Sequence, residues 1–288
     1  MEFIVKINHL KDIYVLNNAD AFLLPHQDFS YRFDESFSFT KIKVVKKHCL
    51  EKQKKIYILI NKIFKDEQLP SLKEFMEKLI EIQVDGFFFT DFSVFMIAKE
   101  LNVDSKCIFY HETFLRNSYD ILTYQELGIP YLFCSKDMHI EDIQHLPENQ
   151  KNHYGILCFG YIPLYESERK IVSHYLKRHQ LDKNFVHSKN LYLKEETREE
   201  KYKVLQQKNI ASIFDSKVLS YLSSMKELSQ HISMFLLDGL FFEVSYLEKV
   251  LHLFQKALTE DIDMEALKKL DETIEFTDGF LHKRIGLI

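Results

Sequence analysis

The sequence predicts an α/β fold in which parallel strands close into a TIM-like βα barrel, with a charged β-hairpin interrupting the pattern before the last strand. Three observations carry this expectation. Short apolar runs alternate with amphipathic helical stretches up to about residue 159. The alternation breaks between Phe159 and Ser216, then resumes with Met234–Asp238 and a helix-like stretch at Tyr246–Leu258. The strand count is about eight, and right-handed crossovers between that many parallel strands favour closure. An open doubly wound sheet is the alternative, since it differs by as little as one strand.

The apolar runs are Glu2–Ile7, Ala21–Leu24, Ile56–Ile60, Phe87–Thr90, Cys107–Tyr110, Tyr131–Cys134, Tyr154–Phe159 and Met234–Asp238. Each is continuous and rich in β-branched or aromatic residues, as a strand covered on both faces should be. Between them, residues 71–82 place Leu72, Phe75, Met76, Leu79 and Ile80 on one helical stripe behind a Pro70–Ser71 start signal. Phe92–Leu101 behaves in the same way, and Gly128–Pro130 ends a helix and opens a strand. Met264–Leu270 has the spacing of an ordinary amphipathic helix. The expected organisation is one barrel-like domain over residues 1–288, with an interruption at 161–216 and a last βα unit and C-terminal helix over 217–288.

With 288 residues, 46% of them hydrophobic, the chain can bury a large core. A net charge of -5 argues against a generally basic nucleic-acid binder, because counterion release needs many Lys and Arg facing the phosphates. A local basic patch is still compatible with it. No apolar stretch approaches the roughly 18 residues of a spanning helix, and the start lacks a basic segment leading into an apolar one. A soluble cytoplasmic protein with no membrane partner is expected. Cys49, Cys107, Cys134 and Cys158 are well separated in sequence and three lie in apolar runs, which suits small buried hydrophobes in a reducing compartment.

Familiar chemical motifs are missing. Seven glycines form neither a dinucleotide fingerprint nor a phosphate loop. His111–Glu112 is followed by Thr113, Phe114 and Leu115, so the second imidazole of a zinc helix is lacking and no metal site is expected. There is no serine elbow and no signature of a thiol nucleophile.

A barrel directs attention to the residues just after each strand. These are His26, Gln27, Asn61, Asp91, His111, Glu112, Thr113, Ser135, Lys136, Gly160, Tyr161 and Asp238. Asp91 and Thr113 equally suit plain helix caps. His111 and Glu112 are the best acid–base pair, because a carboxylate beside an imidazole orients and charges it. Neighbours in a strand point to opposite faces, so the two can cooperate only if Glu112 already lies in the loop.

Within the interruption, Leu191, Leu193 and Val204 alternate with polar neighbours as in a hairpin laid on the barrel. Lys189, Lys194, Arg198, Lys201 and Lys203 are expected to project outwards. With Arg169, Lys170, Lys177 and Arg178 they would meet phosphates, while Tyr192 and Tyr202 would stack on bases. Glu195, Glu196, Glu199 and Glu200 nearly cancel that charge, so a solvated salt-bridged hairpin or a partner surface are the competing readings.

Residues 159–176 followed by 189–202 resemble family 32 of the unclassified ("U") peptidases, the collagenase-like proteins, and most closely its short bacterial branch. The resemblance extends through Ala19–Phe22, Ile60–Phe64, Asp85–Phe88, Glu112–Thr113 with Asn117, Asp238–Gly239 and Thr277–Phe280. It implies a barrel-like α/β domain and, despite the peptidase name, oxidative modification of RNA or related aromatic substrates. The short branch is similar to the smaller of two paralogues needed to hydroxylate the wobble uridine of bacterial tRNA. A tRNA-hydroxylation component acting with a longer paralogue on tRNA is therefore implied, with a peptidase or an inactive scaffold subunit as the alternatives.

Many relatives hold an iron–sulfur cluster on cysteines, the first two around the stretch that begins at Phe159. Here position 170 is Lys and no cysteine follows Cys158. The expectation is no cofactor in this chain and a cluster only in the partner paralogue. Asn61, Asp91, His111 and Glu112 are expected to line a catalytic pocket, and Arg169 and Lys170 to hold an anionic group. Lys194, Arg198 and Tyr202 are expected to approach RNA.

Overall fold

A computed structural model describes residues 1–147, 153–188 and 190–283. The strands are β1 (Glu2–Lys6), β2 (Ala21–Pro25), β3 (Lys55–Ile60), β4 (Gly86–Phe89), β5 (Cys107–Phe109), β6 (Tyr131–Cys134) and β7 (His153–Ser167). They continue with β8 (Tyr192–Lys194), β9 (Lys201–Gln207), β10 (Ile210–Ser220), β11 (Met234–Asp238) and β12 (Phe276–Thr277). The helices are α1 (Phe39–Glu51), α2 (Leu69–Glu81), α3 (Phe92–Glu100), α4 (Ser118–Glu126), α5 (Ile140–Gln144), α6 (Ile171–Arg178), α7 (Met225–Leu228), α8 (Val244–Lys256) and α9 (Glu265–Lys268).

Strands β1 to β7 pair in parallel in chain order, and β11 pairs in parallel with both β7 and β1. The ring is therefore closed, with eight staves, and the open-sheet alternative is excluded. Each predicted apolar run is one of these staves, displaced by a residue or two at its ends, because a stave covered by helices outside and side chains inside has to be apolar throughout. The predicted helix at 71–82 is α2, and Leu72, Phe75, Met76 and Leu79 are its buried face.

Aromatic rings fill the barrel. Tyr57, Phe88, Tyr110 and Phe133 form a chain of edge-on contacts with centroids 5.0–5.9 Å apart. Such bulk demands a gap opposite, and Gly155 supplies it: a Cβ there would stand 2.3 Å from the Phe133 ring. Small opposite large is how a narrow barrel is packed.

β7 is the exception among the staves. It leaves the barrel at Gly160, whose φ of 143° suits glycine and whose Cβ would strike Asp238 at 2.8 Å, and it continues to Ser167. Beyond the barrel it pairs antiparallel with β10, which pairs with β9, which pairs with β8. The interruption is thus an antiparallel sheet grown from one stave, and the predicted hairpin is its outer pair, with Tyr192 opposite Lys203 and Lys194 opposite Lys201. Sequence periodicity missed β10 and the far half of β7, since both carry the mixed burial of a sheet with one wet face.

Candidate active site at the barrel mouth

The mouth is built around buried charge. The Lys6 side chain, 5% exposed at the end of β1, donates to Asp238 Oδ2 at 2.6 Å and to the Arg32 carbonyl at 2.8 Å. Burial pulls the Lys6 ammonium below the ordinary lysine range, while Asp238 pulls it back. Arg32 itself stands in the left-handed region, φ 58°, a conformation costing about 1–2 kcal/mol for a residue with a Cβ. Three contacts hold it there: its carbonyl on Lys6, one guanidinium nitrogen 2.7 Å from Glu112 Oε1, and the other 3.6 Å from Glu166 Oε2. A non-glycine residue fixed this way at a barrel mouth points to function.

Glu112 reaches that position because β5 ends at Phe109, so Tyr110, His111 and Glu112 already run in the loop. The condition for His111 and Glu112 to share a face is met, and both line a cavity of about 160 Å³ with Tyr31, Arg32, Asn61, Tyr110 and Glu166. The hydroxyl of Ser135, after β6, donates to the Glu112 carbonyl at 2.9 Å and fixes this loop. His111 stacks on Phe114 at 4.0 Å, and burial lowers its pKa from 6.5, with Glu112 opposing. Its Nδ1 accepts from the Thr113 amide at 3.3 Å, which assigns the remaining ring proton of the neutral form to Nε2. Burial likewise pushes the Tyr31 phenol up to about 12, aided by Glu168 and Glu166, and raises the Glu166 carboxyl.

Asn61 lines the same cavity and accepts the Tyr31 amide at 2.8 Å, so it holds the loop that presents Arg32. Asp91 is turned away from the mouth. One of its oxygens caps α3 through the Ser93 amide at 2.8 Å and the other takes the Phe64 amide at 3.0 Å. His26 is also directed away, against Phe29 and Phe75, where burial lowers its pKa.

Arg169 and Lys170 are exposed at the turn into α6 and line no part of the mouth cavity. Lys194 pairs with Glu199 at 3.1 Å; Arg198 pairs with Glu195 at 3.1 Å and donates to the Tyr202 hydroxyl at 3.3 Å. The hairpin therefore carries a local ion-pair lattice at its turn. Lys189 lies outside the described residues. Two expectations for the hairpin need correction. Lys203 does not project outwards: its ammonium sits over the rings of Tyr161, Tyr192 and Phe241, because it shares the inner face with its cross-strand neighbour Tyr192. Leu193, expected on the inner face, is 44% exposed for the same reason of register.

The mouth residues that the strand-end rule overlooks are Lys6, Arg32, Tyr110 and Glu166. Lys6 and Tyr110 are hidden inside apolar runs, where a lysine flanked by Val5 and Ile7 is itself a signal. Arg32 lies seven residues beyond the end of β2 at Pro25, and Glu166 lies on the part of β7 that periodicity does not reveal.

The cysteines do not fit a four-thiolate cluster. Cys49 is in α1, Cys107 begins β5, Cys134 ends β6 and Cys158 lies within β7, all buried. Burial pushes the thiols of Cys49, Cys107 and Cys134 up to about 12 and raises Cys158 well above 9.0. Among the described residues, no three His, Cys, Asp or Glu side chains gather in a metal-binding group.

Comparison with known proteins agrees with this geometry. The model of peptidase family U32 matches residues 8–285. The tRNA hydroxylation protein P2 of Bacillus subtilis (strain 168) is 24% identical over 260 residues, covering 88% of this chain and 84% of that protein. The structure of the U32 peptidase Mk0906 superposes with a TM-score of 0.50 at 11% identity, over 82% of this chain and 91% of that one, a likeness of fold alone. No helix among the described residues is long and apolar enough to cross a membrane.

Proposed function

The chain belongs to peptidase family U32, and from that premise we propose that it is a component of tRNA wobble-uridine 5-hydroxylation, acting with a longer, cluster-bearing paralogue. The observation that carries the reading is the similarity to the tRNA hydroxylation protein across nearly the whole chain. The mouth supports it chemically. Its cavity of about 160 Å³ is smaller than the roughly 300–1,000 Å³ of drug-sized pockets, and its walls combine Ile63 and the Tyr31 and Tyr110 rings with polar groups in fixed positions.

In this reading the mouth takes a single pyrimidine ring turned out of the RNA strand. Arg32, held between Glu112 and Glu166, and the Nε2–H of neutral His111 donate to ring carbonyls. Lys6 is kept from the ring by Asp238 and fixes the Arg32 carbonyl. Asp91 acts through Phe64 and α3 by shaping the loop after β3, and Asn61 by seating the Tyr31 amide. Arg169, Lys170, Lys194 and Arg198 are peripheral contacts for the phosphate chain, with Tyr202 beside them. Any iron–sulfur cluster belongs to the longer paralogue.

Nucleoside mass spectrometry of tRNA from a deletion strain is the test. Loss of 5-hydroxyuridine derivatives, restored by the wild-type gene but not by Arg32→Ala, is expected. Unchanged nucleosides would remove the reading. Full restoration by Arg32→Ala, with the paralogue complex intact, would leave only a scaffold subunit. Peptide cleavage by the purified protein, lost in the same variant, would return the peptidase.

A further inference from the structure

Away from the mouth, the inner face of the hairpin looks onto the barrel across a groove. Two hollows of about 230 and 330 Å³ meet there, sharing Lys203, Phe241, Phe242 and Glu243 as walls. The Lys203 ammonium lies 5.2 Å from the Tyr161 ring, 4.8 Å from Tyr192 and 5.0 Å from Phe241. It donates to the Tyr192 hydroxyl at 3.0 Å, and among the described residues it makes no ion pair.

The floor of the smaller hollow carries unused acceptors. Asn8 is 6% exposed and Asp12 is 3% exposed. The Asn8 amide group donates to the carbonyls of Gly239 and Phe242, and Asp12 Oδ2 accepts from the backbone of Asn8 and His9. Asn8 Oδ1 and Asp12 Oδ1 are left buried without a donor, and in the neighbouring hollow the Tyr246 hydroxyl is buried without a partner. Buried polar atoms are normally satisfied, so each of these oxygens calls for an explanation.

We propose that this groove is a second nucleotide subsite, which takes an RNA nucleotide flanking the modified one and prefers a base with amino donors, guanine above the others. The inference rests on the tRNA reading above. Aromatic faces hold any base by stacking. A lysine without a carboxylate partner suits a phosphate oxygen. Paired acceptors lacking donors select an N–H-rich edge. Guanine presents two adjacent donor groups on one edge, whereas uracil presents one N–H flanked by carbonyls that would face the acceptors.

A guanidinium from a protein partner would also satisfy the acceptors. Lys203 lies over the same rings, so either ligand stacks only as its ammonium moves off them, for a nucleotide onto the phosphate; the arginine-peptide arm of the test below separates the two. The two acceptor oxygens are buried in the floor of the hollow, so seating a base on them requires that floor to open.

Equilibrium dialysis of the full-length protein against GMP, UMP and inorganic phosphate tests the subsite. The expected result is GMP bound about tenfold or more tightly than UMP, with Lys203→Met and Tyr192→Ala each weakening GMP by about tenfold while the circular dichroism spectrum is unchanged. Equal binding of GMP and UMP, GMP no better than phosphate, or both variants binding as wild type would each overturn it. So would an arginine peptide that displaces GMP and binds more tightly. The outcome is separable from that of the functional reading: nucleosides unchanged on deletion would leave the GMP preference measurable, and loss of hydroxylation on deletion with no GMP preference would remove the subsite alone.

Discussion

The barrel and the sheet grown from it are stabilised by different physics. The staves bury continuous apolar surface, and their interior is a stack of rings whose fit is set by volume. The outer sheet is half-exposed and attached through directional side-chain contacts. Gln207 exchanges two hydrogen bonds with the backbone of Phe33, at 3.2 and 2.6 Å; Gln206 accepts from the Ser173 amide and donates to the Ser173 hydroxyl, and Lys203 rests on aromatic faces. Those contacts also brace the loop that carries Arg32, because Phe33 adjoins it and Glu166 of β7 meets its guanidinium. Damage to the barrel should therefore appear as lost stability, and damage to the sheet as lost function in a protein that still folds.

The largest effect should come from inside the barrel. Phe133→Ala is expected to lower stability by about 3–5 kcal/mol in denaturant unfolding. Gly155→Ala should cost less, about 1–3 kcal/mol, by overpacking against the same ring. Joining Gly155→Ala to Phe133→Leu should recover part of that loss; simple additivity would show that the two sites do not share a space.

At the mouth, Lys6→Met leaves the Asp238 carboxylate and the Arg32 carbonyl without their donor. A loss near 3 kcal/mol is expected, the low end for a broken buried pair because Asp238 remains 17% exposed. The double variant with Asp238→Leu should be more stable than Lys6→Met alone, yet, under the proposed function, equally unable to restore tRNA hydroxylation.

Gln207→Ala separates the two regions most directly. It should change stability by only about 1 kcal/mol, the net value of a hydrogen bond or two, while under the proposed function hydroxylation falls about tenfold as the Arg32 loop loosens. Equal scaling of stability and activity would contradict the division drawn above.

The pH dependence follows from His26 and His111, whose folded pKa values burial depresses below 6.5. Below 6.5 the unfolded chain binds these protons before the folded one does. The stability present above that pH is thus lost as pH falls towards the folded values. Thermal melts from pH 7.5 to 5.5 should show this decline, and His26→Gln should flatten it.

The smallest effects belong to Lys194→Ala and Arg198→Ala at the turn of the hairpin. Their ion pairs are solvated, so the unfolding midpoint should not move measurably. If they contact phosphates, the salt dependence of tRNA binding should fall by about one counterion each.

The sequence revealed the barrel because staves buried on both sides must be apolar from end to end, and nothing else in the chain has that texture. It placed Asn61 and Glu112 at the barrel mouth because the ends of barrel strands gather there. Asp91 satisfied the same rule and serves as a helix cap, since a carboxylate after a strand answers equally to two demands. Arg32 was not legible because its importance comes from partners at positions 6, 112 and 166, which only the tertiary fold brings together. Lys203 was misjudged because strand alternation gives two faces without saying which one meets the barrel.

The Lys6–Asp238 pair joins residues 232 apart in sequence, and their strands are the seam at which the ring closes. Lys6 is made 232 residues before its counter-ion, so the charged end of β1 has no partner until β11 has followed. The mouth therefore cannot form on a barrel that lacks β11. Chains that stop before β11 should expose a charged seam instead of a working site.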